Sequence, residues 1–139
     1  FAGVILVWVA YFAPFGTYIM TTYYASIPRD IIESSRIDGA NIGQILLRLM
    51  IPIGAPMMAT ITIIGFQSMW NELAFSILLL QKKNIRTITL GIALLKGEHG
   101  FPDPILTACV MVGSLIPLAV FLFMQKYVAM GATAGAVKG

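Results

Sequence analysis

The spacing of charge along this chain limits its possible folds more than any other feature. Residues 1–28 carry no Asp, Glu, Lys or Arg, and neither do the stretches between Arg48 and Glu72 or across 105–125. Each is about as long as the roughly 20 apolar residues that cross a hydrocarbon core as a helix. Between the first two lies a compact block containing Arg29, Asp30, Glu33, Arg36, Asp38 and Arg48. Inside lipid every backbone N–H and C=O must be satisfied within the segment, so the apolar stretches cross as helices and the block lies in water beside the bilayer. Composition agrees: 58% of the 139 residues are hydrophobic and 11% charged, far from the balance of a soluble domain. The mean hydropathy is +0.87. The expected fold is all-α and transmembrane, a bundle of about three spanning helices.

The first span is expected over residues 3–25, about 35 Å at 1.5 Å per residue. Pro14 and Gly16 fall in its interior, where neighbouring helices can satisfy the freed carbonyls. Tyr18, Tyr23 and Tyr24 gather beside the charged block, as in an interfacial aromatic belt. The second span is expected from about Gly54 to Met69, kept thin for close packing by Ala55, Pro56, Ala59, Gly65 and Ser68. The third runs over 105–125, with a kink expected at Pro117. Ala74–Leu80 is too short to span and reads as a re-entrant or interfacial segment, and Thr87–Leu95 as a short helix. Turn signals mark Glu98-His99-Gly100 and Phe101-Pro102-Asp103-Pro104, and the small-residue tail after Gln125 reads as flexible.

The charged block has its own local grammar. Pro28 suits the first position of a helix, and Asp30 and Glu33 bring negative charge toward its positive end. Ser34 and Ser35 make a small-residue patch beside Glu33, and Gly39 can take the left-handed conformation that ends a helix. Asn41 and Gln44 read as a variant capping box opening a second helix. Its apolar face is Ile42, Ile45, Leu46 and Leu49, at i, i+3, i+4 and i+7. The expected order is helix, glycine turn, amphipathic helix, and then the next span beginning near Pro52.

These residues resemble the coupling loop of ABC importer permeases of the binding-protein-dependent, carbohydrate-transporting family. The resemblance rests on Glu33-Ser34-Ser35, three residues, Gly39, nine residues, and then Leu49-Met50-Ile51-Pro52. Ala is usual in the family where Ser34 and Ser35 stand; both are small. The resemblance implies that residues 27–51 form a cytoplasmic loop that docks on an ATP-binding subunit. Glu33 and Asp38 would make charge contacts, Ser34, Ser35 and Ala40 would allow close approach, and Gly39 would make the turn. Trp70-Asn71-Glu72, ending about 30 Å of helix beyond Pro52, resembles carbohydrate permeases in particular and implies a pathway or outer mouth there. The bland reading of the same triplet is an interfacial Trp with a solvated carboxylate.

The implied partners are a pair of ATP-binding subunits, a second permease subunit, an extracytoplasmic solute-binding protein and membrane lipid. The implied location is the bacterial inner (plasma) membrane, crossed several times, with Ala74–Leu80 on the extracytoplasmic side. The chain opens on Phe1 with no basic leader and reads as a fragment whose beginning is lost. The resemblance implies the C-terminal part of one permease domain, with earlier spans missing. Its closing tail is similar to that of sugar importers, which implies a natural C-terminus.

Other chemistry finds little support. No phosphate-binding G-x-x-x-x-G-K-[ST] run occurs, so ATP hydrolysis is expected in a partner and the chain is not expected to be an enzyme. No cofactor, catalytic set or metal site is expected: His99 stands alone in a polar loop, and Cys109 is the only cysteine. The net charge of +3 is dispersed, which argues against nucleic acid. Lys and Arg number five on the side of the coupling loop and four on the other, too even to orient the chain. Two alternatives remain. An ion-gradient-driven transporter would call for an ionisable residue within a span. A structural membrane-assembly subunit would not need the coupling grammar.

Overall fold

The structure, a computed structural model, describes residues 2–100 and 102–136, with side chains for all of these except Lys96, Glu98, His99 and residues 127–136. The expected roles of His99, Phe101, Lys138 and Gly139 lie outside the described residues or side chains. Among the described residues there is no strand. In order, the elements are α1 (Ala2–Ala25), α2 (Arg29–Ile37), α3 (Ile42–Gln44), a π-helical stretch (Ile45–Met50), α4 (Ile51–Trp70), α5 (Ala74–Leu79), a 3-10 turn (Lys83–Ile85), α6 (Ile88–His99) and α7 (Asp103–Ala136). Three helical runs are long and apolar enough to cross a membrane: Ala2–Ala25, Ile42–Trp70 and Asp103–Lys126. The all-α, three-span architecture read from charge spacing is the one observed.

Several boundaries differ from expectation: α6 runs on to His99, into the expected turn, and α7 opens at Asp103, inside the next one. No break separates the amphipathic helix from the second span, because the π-helical turn carries the chain from α3 directly into α4. Pro52 lacks an N–H, and its ring crowds the carbonyl four residues back, that of Arg48. A wider turn relieves that crowding without ending the helix, and the Ile51 N–H accordingly bonds the carbonyl of Leu46, five residues earlier. The tail also differs from expectation: α7 continues as helix to Ala136. Alternating Ala and Gly there keep enough helix propensity in Ala to carry the segment on.

The spans bury little of themselves within the chain, only 6%, 17% and 6% of their apolar windows. Their surfaces are therefore suited to lipid and neighbouring helices rather than to a water-excluding core. Threonines are accommodated by bonding back to the carbonyl four residues earlier: Thr21 to Thr17, Thr22 to Tyr18, Thr60 to Pro56 and Thr62 to Met58, all at 2.8–3.0 Å.

The chain divides into two compact units. The first comprises Phe1–Ala13 and Ile63–Phe123. Its core is Val4, Leu80 and Leu90, with Trp8, Leu73, Ile85 and Leu94 packed around them. There Gly65 faces the Phe12 ring so closely that an added Cβ would sit 2.8 Å from Cε1, which bears out the thin-helix reading of that glycine. The second comprises Pro14–Thr62 and Met124–Gly139, and within it Ile45 is the buried apolar residue of the π-helical turn.

Candidate functional site

The segment from Arg29 to Leu49 is held in shape by local bonds. Pro28 takes the cap position (φ −57°, ψ 134°), one residue earlier than expected, and Asp30 lies in the first turn of α2. The helix ends in a Schellman motif. The Gly39 N–H donates to the Arg36 carbonyl and the Ala40 N–H to the Ser35 carbonyl, each at 3.0 Å. Gly39 has φ +81°, a conformation that a Cβ disfavours, so the expected glycine turn is present. The capping box also forms: the Gln44 N–H donates to Asn41 Oδ1 and the Asn41 N–H to Gln44 Oε1, both at 2.9 Å.

This scaffold presents the six expected coupling residues unequally. Ser35, Asp38, Gly39 and Ala40 line a concavity of about 420 Å³ together with Gln44, Ile45, Arg48 and Leu49. Glu33 and Ser34 are exposed outside it. Both serine hydroxyls donate to the Ile31 carbonyl (3.1 and 2.9 Å), which draws them in against the helix and leaves a low surface. No residue of α2 is buried. Ile37 and Ile42 are 86% and 81% exposed on either side of the turn. The amphipathic face expected of the second helix is split, because the π-helical turn changes the angular step: Ile45 is buried while Ile42 and Leu46 are exposed.

Two tyrosines that the sequence reading placed in an aromatic belt tie the start of the next span to α1. The Tyr24 hydroxyl donates to the Met50 carbonyl and the Tyr23 hydroxyl to the Ile53 carbonyl, each at 3.0 Å. The two tyrosines do lie beside the charged block, as a belt would, but their polar tips are used by the backbone of the next helix. Gly54 makes this possible, since an added Cβ there would lie 2.9 Å from Tyr24 Cζ.

The expected triplet Trp70-Asn71-Glu72 is also split. The Glu72 carboxylate is not simply solvated. Oε1 accepts from the Phe75 N–H (2.6 Å), while Oε2 accepts from the Ser76 N–H, the Ser76 hydroxyl and Trp8 Nε1 (3.1 Å each). The side chain thus satisfies the first free N–H groups of α5 and pins α1 to it. Ser76 is wholly buried there. Partial burial pushes the Glu72 carboxyl up, but the bonds from Phe75, Trp8 and Ser76 outweigh it and hold the group below its ordinary value. A depressed carboxylate stabilises the fold above its unfolded-state pKa, and that contribution disappears as pH falls through the lowered value. Glu72→Gln should therefore lower the thermal midpoint at neutral pH. The gap from wild type should close in acid, in a pH series read by unfolding and by Trp8 fluorescence. A gap that stays constant with pH would show that the charge is immaterial.

Trp70 and Asn71 point elsewhere. The Trp70 carbonyl accepts from the Thr89 hydroxyl at 2.6 Å, and Asn71 Nδ2 donates to the Gln67 carbonyl at 2.9 Å. Both residues border a cavity of about 370 Å³ with Gln67, Thr89 and Ser114. Among the described residues no group of three or more His, Cys, Asp or Glu side chains could hold a metal.

Three helices long and apolar enough to cross a membrane, the first two joined by an exposed helix–turn–helix with a capped turn, define a multi-pass membrane protein. The chain belongs to the family of binding-protein-dependent transport system inner membrane components, which it matches over residues 1–129. It is a multi-pass protein of the inner membrane. It is 32% identical to the osmoprotective compounds uptake permease protein GgtD of Synechocystis over 99% of this chain and 47% of that protein. It is 33% identical to the alpha-glucoside transport system permease protein AglG of Rhizobium meliloti over 100% of this chain and 37% of that protein. The trehalose/maltose transport system permease protein MalG of Thermococcus litoralis is 36% identical over 95% of this chain and 48% of that protein. The chain thus spans less than half the length of these relatives. No solved structure gives a significant match.

Proposed function

We propose that the chain is part of the permease of an ATP-driven importer for a sugar or sugar-like solute, and that Arg29–Leu49 is its coupling segment. The observation that carries this reading is that no residue of α2 is buried while its turn is tied by local hydrogen bonds. A connector serving only to join two spans has no need of a Schellman motif and a capping box in succession. A surface that receives a push from a partner does, because a floppy lever would dissipate the motion. In this reading Glu33 and Asp38 offer carboxylates to a partner ATP-binding subunit, Ser34, Ser35 and Ala40 allow its close approach, and Gly39 sets the angle. A second permease subunit and an extracytoplasmic binding protein complete the assembly. Trp70 and Asn71 are assigned to the solute pathway, and Glu72 to holding α5 at its edge. The sugar assignment draws on the alpha-glucoside and trehalose/maltose relatives.

Charge reversal tests the coupling role. In the full-length permease co-expressed with its partners, Glu33→Lys should abolish co-purification of the ATP-binding subunit or uptake, with membrane insertion unchanged. Normal association together with normal uptake would remove the assignment.

A further inference from the structure

In the unit formed by Phe1–Ala13 and Ile63–Phe123, α6 borders two concavities that adjoin each other. One is a groove of about 600 Å³ shared with α7, and its walls are apolar. From α7 come Ile105, Cys109, Val112 and Ile116, whose helical spacing puts them on one face. Gly113 also lines the groove, and an added Cβ there would come within 3.2 Å of Ile92 Cδ1, so α6 and α7 approach closely at that level. The other concavity, of about 440 Å³, is lined by Lys83, Arg86 and Thr87 just before α6. Ile88 and Ile92, one turn apart on α6, belong to both.

This pairing limits the chemistry of an occupant. Among the described residues neither space is lined by an acidic side chain, and the smaller carries two cations. Lys83 and Arg86 have interactions of their own. An ammonium has three N–H donors and a guanidinium five, so both can meet an anion in addition. The Thr87 hydroxyl oxygen accepts from the Leu90 N–H at 3.3 Å, which leaves its proton to donate. Asp103 opens α7 beside Pro104, about 15 Å of helix from Gly113, so its charge stands away from the level where Ile88 and Ile92 pass.

A free anion would use the basic pocket and leave Ile105, Val112 and Ile116 exposed, as they are in the chain alone. An apolar helix would cover the groove and make no use of the cations. An amphiphile with an anionic head uses both, by charge at one end and by apolar burial along the other. From Pro104 to Ile116 the groove follows about 18 Å of helix, enough for a chain that crosses one leaflet of a core about 30 Å thick.

We propose that the adjoining pocket and groove bind an anionic phospholipid. Its phosphate meets Lys83, Arg86 and Thr87, and an acyl chain lies against Ile88, Ile92 and the apolar face of α7. The site does not depend on which solute the protein carries.

The test is native mass spectrometry of the full-length permease assembled with its partners, delipidated in detergent and titrated with dioleoyl phosphatidylglycerol or zwitterionic dioleoyl phosphatidylcholine. The first phosphatidylglycerol should bind about tenfold more tightly than the first phosphatidylcholine. Lys83→Gln and Arg86→Gln should each weaken phosphatidylglycerol about fivefold and phosphatidylcholine by less than about twofold. Arg86→Lys, which keeps the charge, should stay near wild type, as should Lys82→Gln, since Lys82 does not line the pocket. Ala108→Phe, which fills the groove, should weaken both lipids. Co-purification with the partner subunits checks assembly, and Ala108→Leu replaces the phenylalanine variant if that fails to assemble. Glycerol 3-phosphate, a head without chains, should not displace the lipid. Equal binding of the two lipids, or unchanged phosphatidylglycerol binding in both glutamine variants, would overturn the site. Displacement by glycerol 3-phosphate would overturn it in favour of a soluble anion. Binding indifferent to the filled groove would overturn it in favour of a groove closed by another helix.

Discussion

Gly39→Val is expected, on the proposed coupling role, to lower association with an ATP-binding subunit by more than about tenfold while leaving insertion into the membrane intact. Gly39 holds φ +81°. An L-residue in that region brings its Cβ against the following carbonyl at about 1–2 kcal/mol, and a β-branched one fares worse. The chain can escape the strain only by leaving the left-handed conformation. That breaks the bonds from Gly39 to Arg36 and from Ala40 to Ser35, which fix the angle between α2 and α3. Nothing lies within 4 Å of an added Cβ, so the effect is one of backbone conformation and not of crowding. Gly39→Asn separates the two, because asparagine tolerates the left-handed region; it should retain most of the association. Co-purification and uptake are the measurements. A valine variant that couples normally would mean the turn angle is unimportant.

Gly54→Val should be the most destabilising single change in the unit containing the coupling segment. The new Cβ would lie 2.9 Å from Tyr24 Cζ and nearer still to its hydroxyl oxygen. Tyr24 would have to move away and give up its bond to the Met50 carbonyl. Overpacking costs about 1–3 kcal/mol and the lost hydrogen bond about 1 more. The few tenths regained by replacing a helical glycine are too small to offset this. The thermal midpoint in detergent should fall clearly, and Tyr24→Phe alone should lower it by less. Since the phenol oxygen is the nearest atom, the double variant should be less unstable than the sum of the two single ones. Strict additivity would show that the two groups do not meet.

The features legible in the sequence share a physical property: their energies are set by composition or by partners within a few residues. Three charge-free stretches predict three spans because a charge at mid-bilayer costs about 2.5–3.5 kcal/mol, so segments that cross avoid it. The turn at Gly39 and the box between Asn41 and Gln44 follow from bonds spanning three to five residues. The π-helical turn was only half legible. Pro52 announces a problem for the helix, yet whether the chain breaks or widens depends on whether the flanking segments gain by staying continuous.

What only the tertiary structure decided is which side chains meet across helices. Trp8 reaches Glu72 over 64 residues, Tyr24 reaches Met50 over 26, and Gln67 shares a cavity with Ser114. Such pairs depend on the rotation and register of one helix against another, and those are set by steric fit at notches such as Gly54 and Gly65. Hydrophobic periodicity carries no record of them, since a helix apolar on every side reads alike whichever face it turns inward. The sequence by itself therefore determined that this chain is a three-span membrane protein with a capped, water-exposed elbow. Packing alone decided that Glu72 caps and ties α5 while Gln67 and Asn71 line a cavity, because a polar residue's role depends on the atoms it faces.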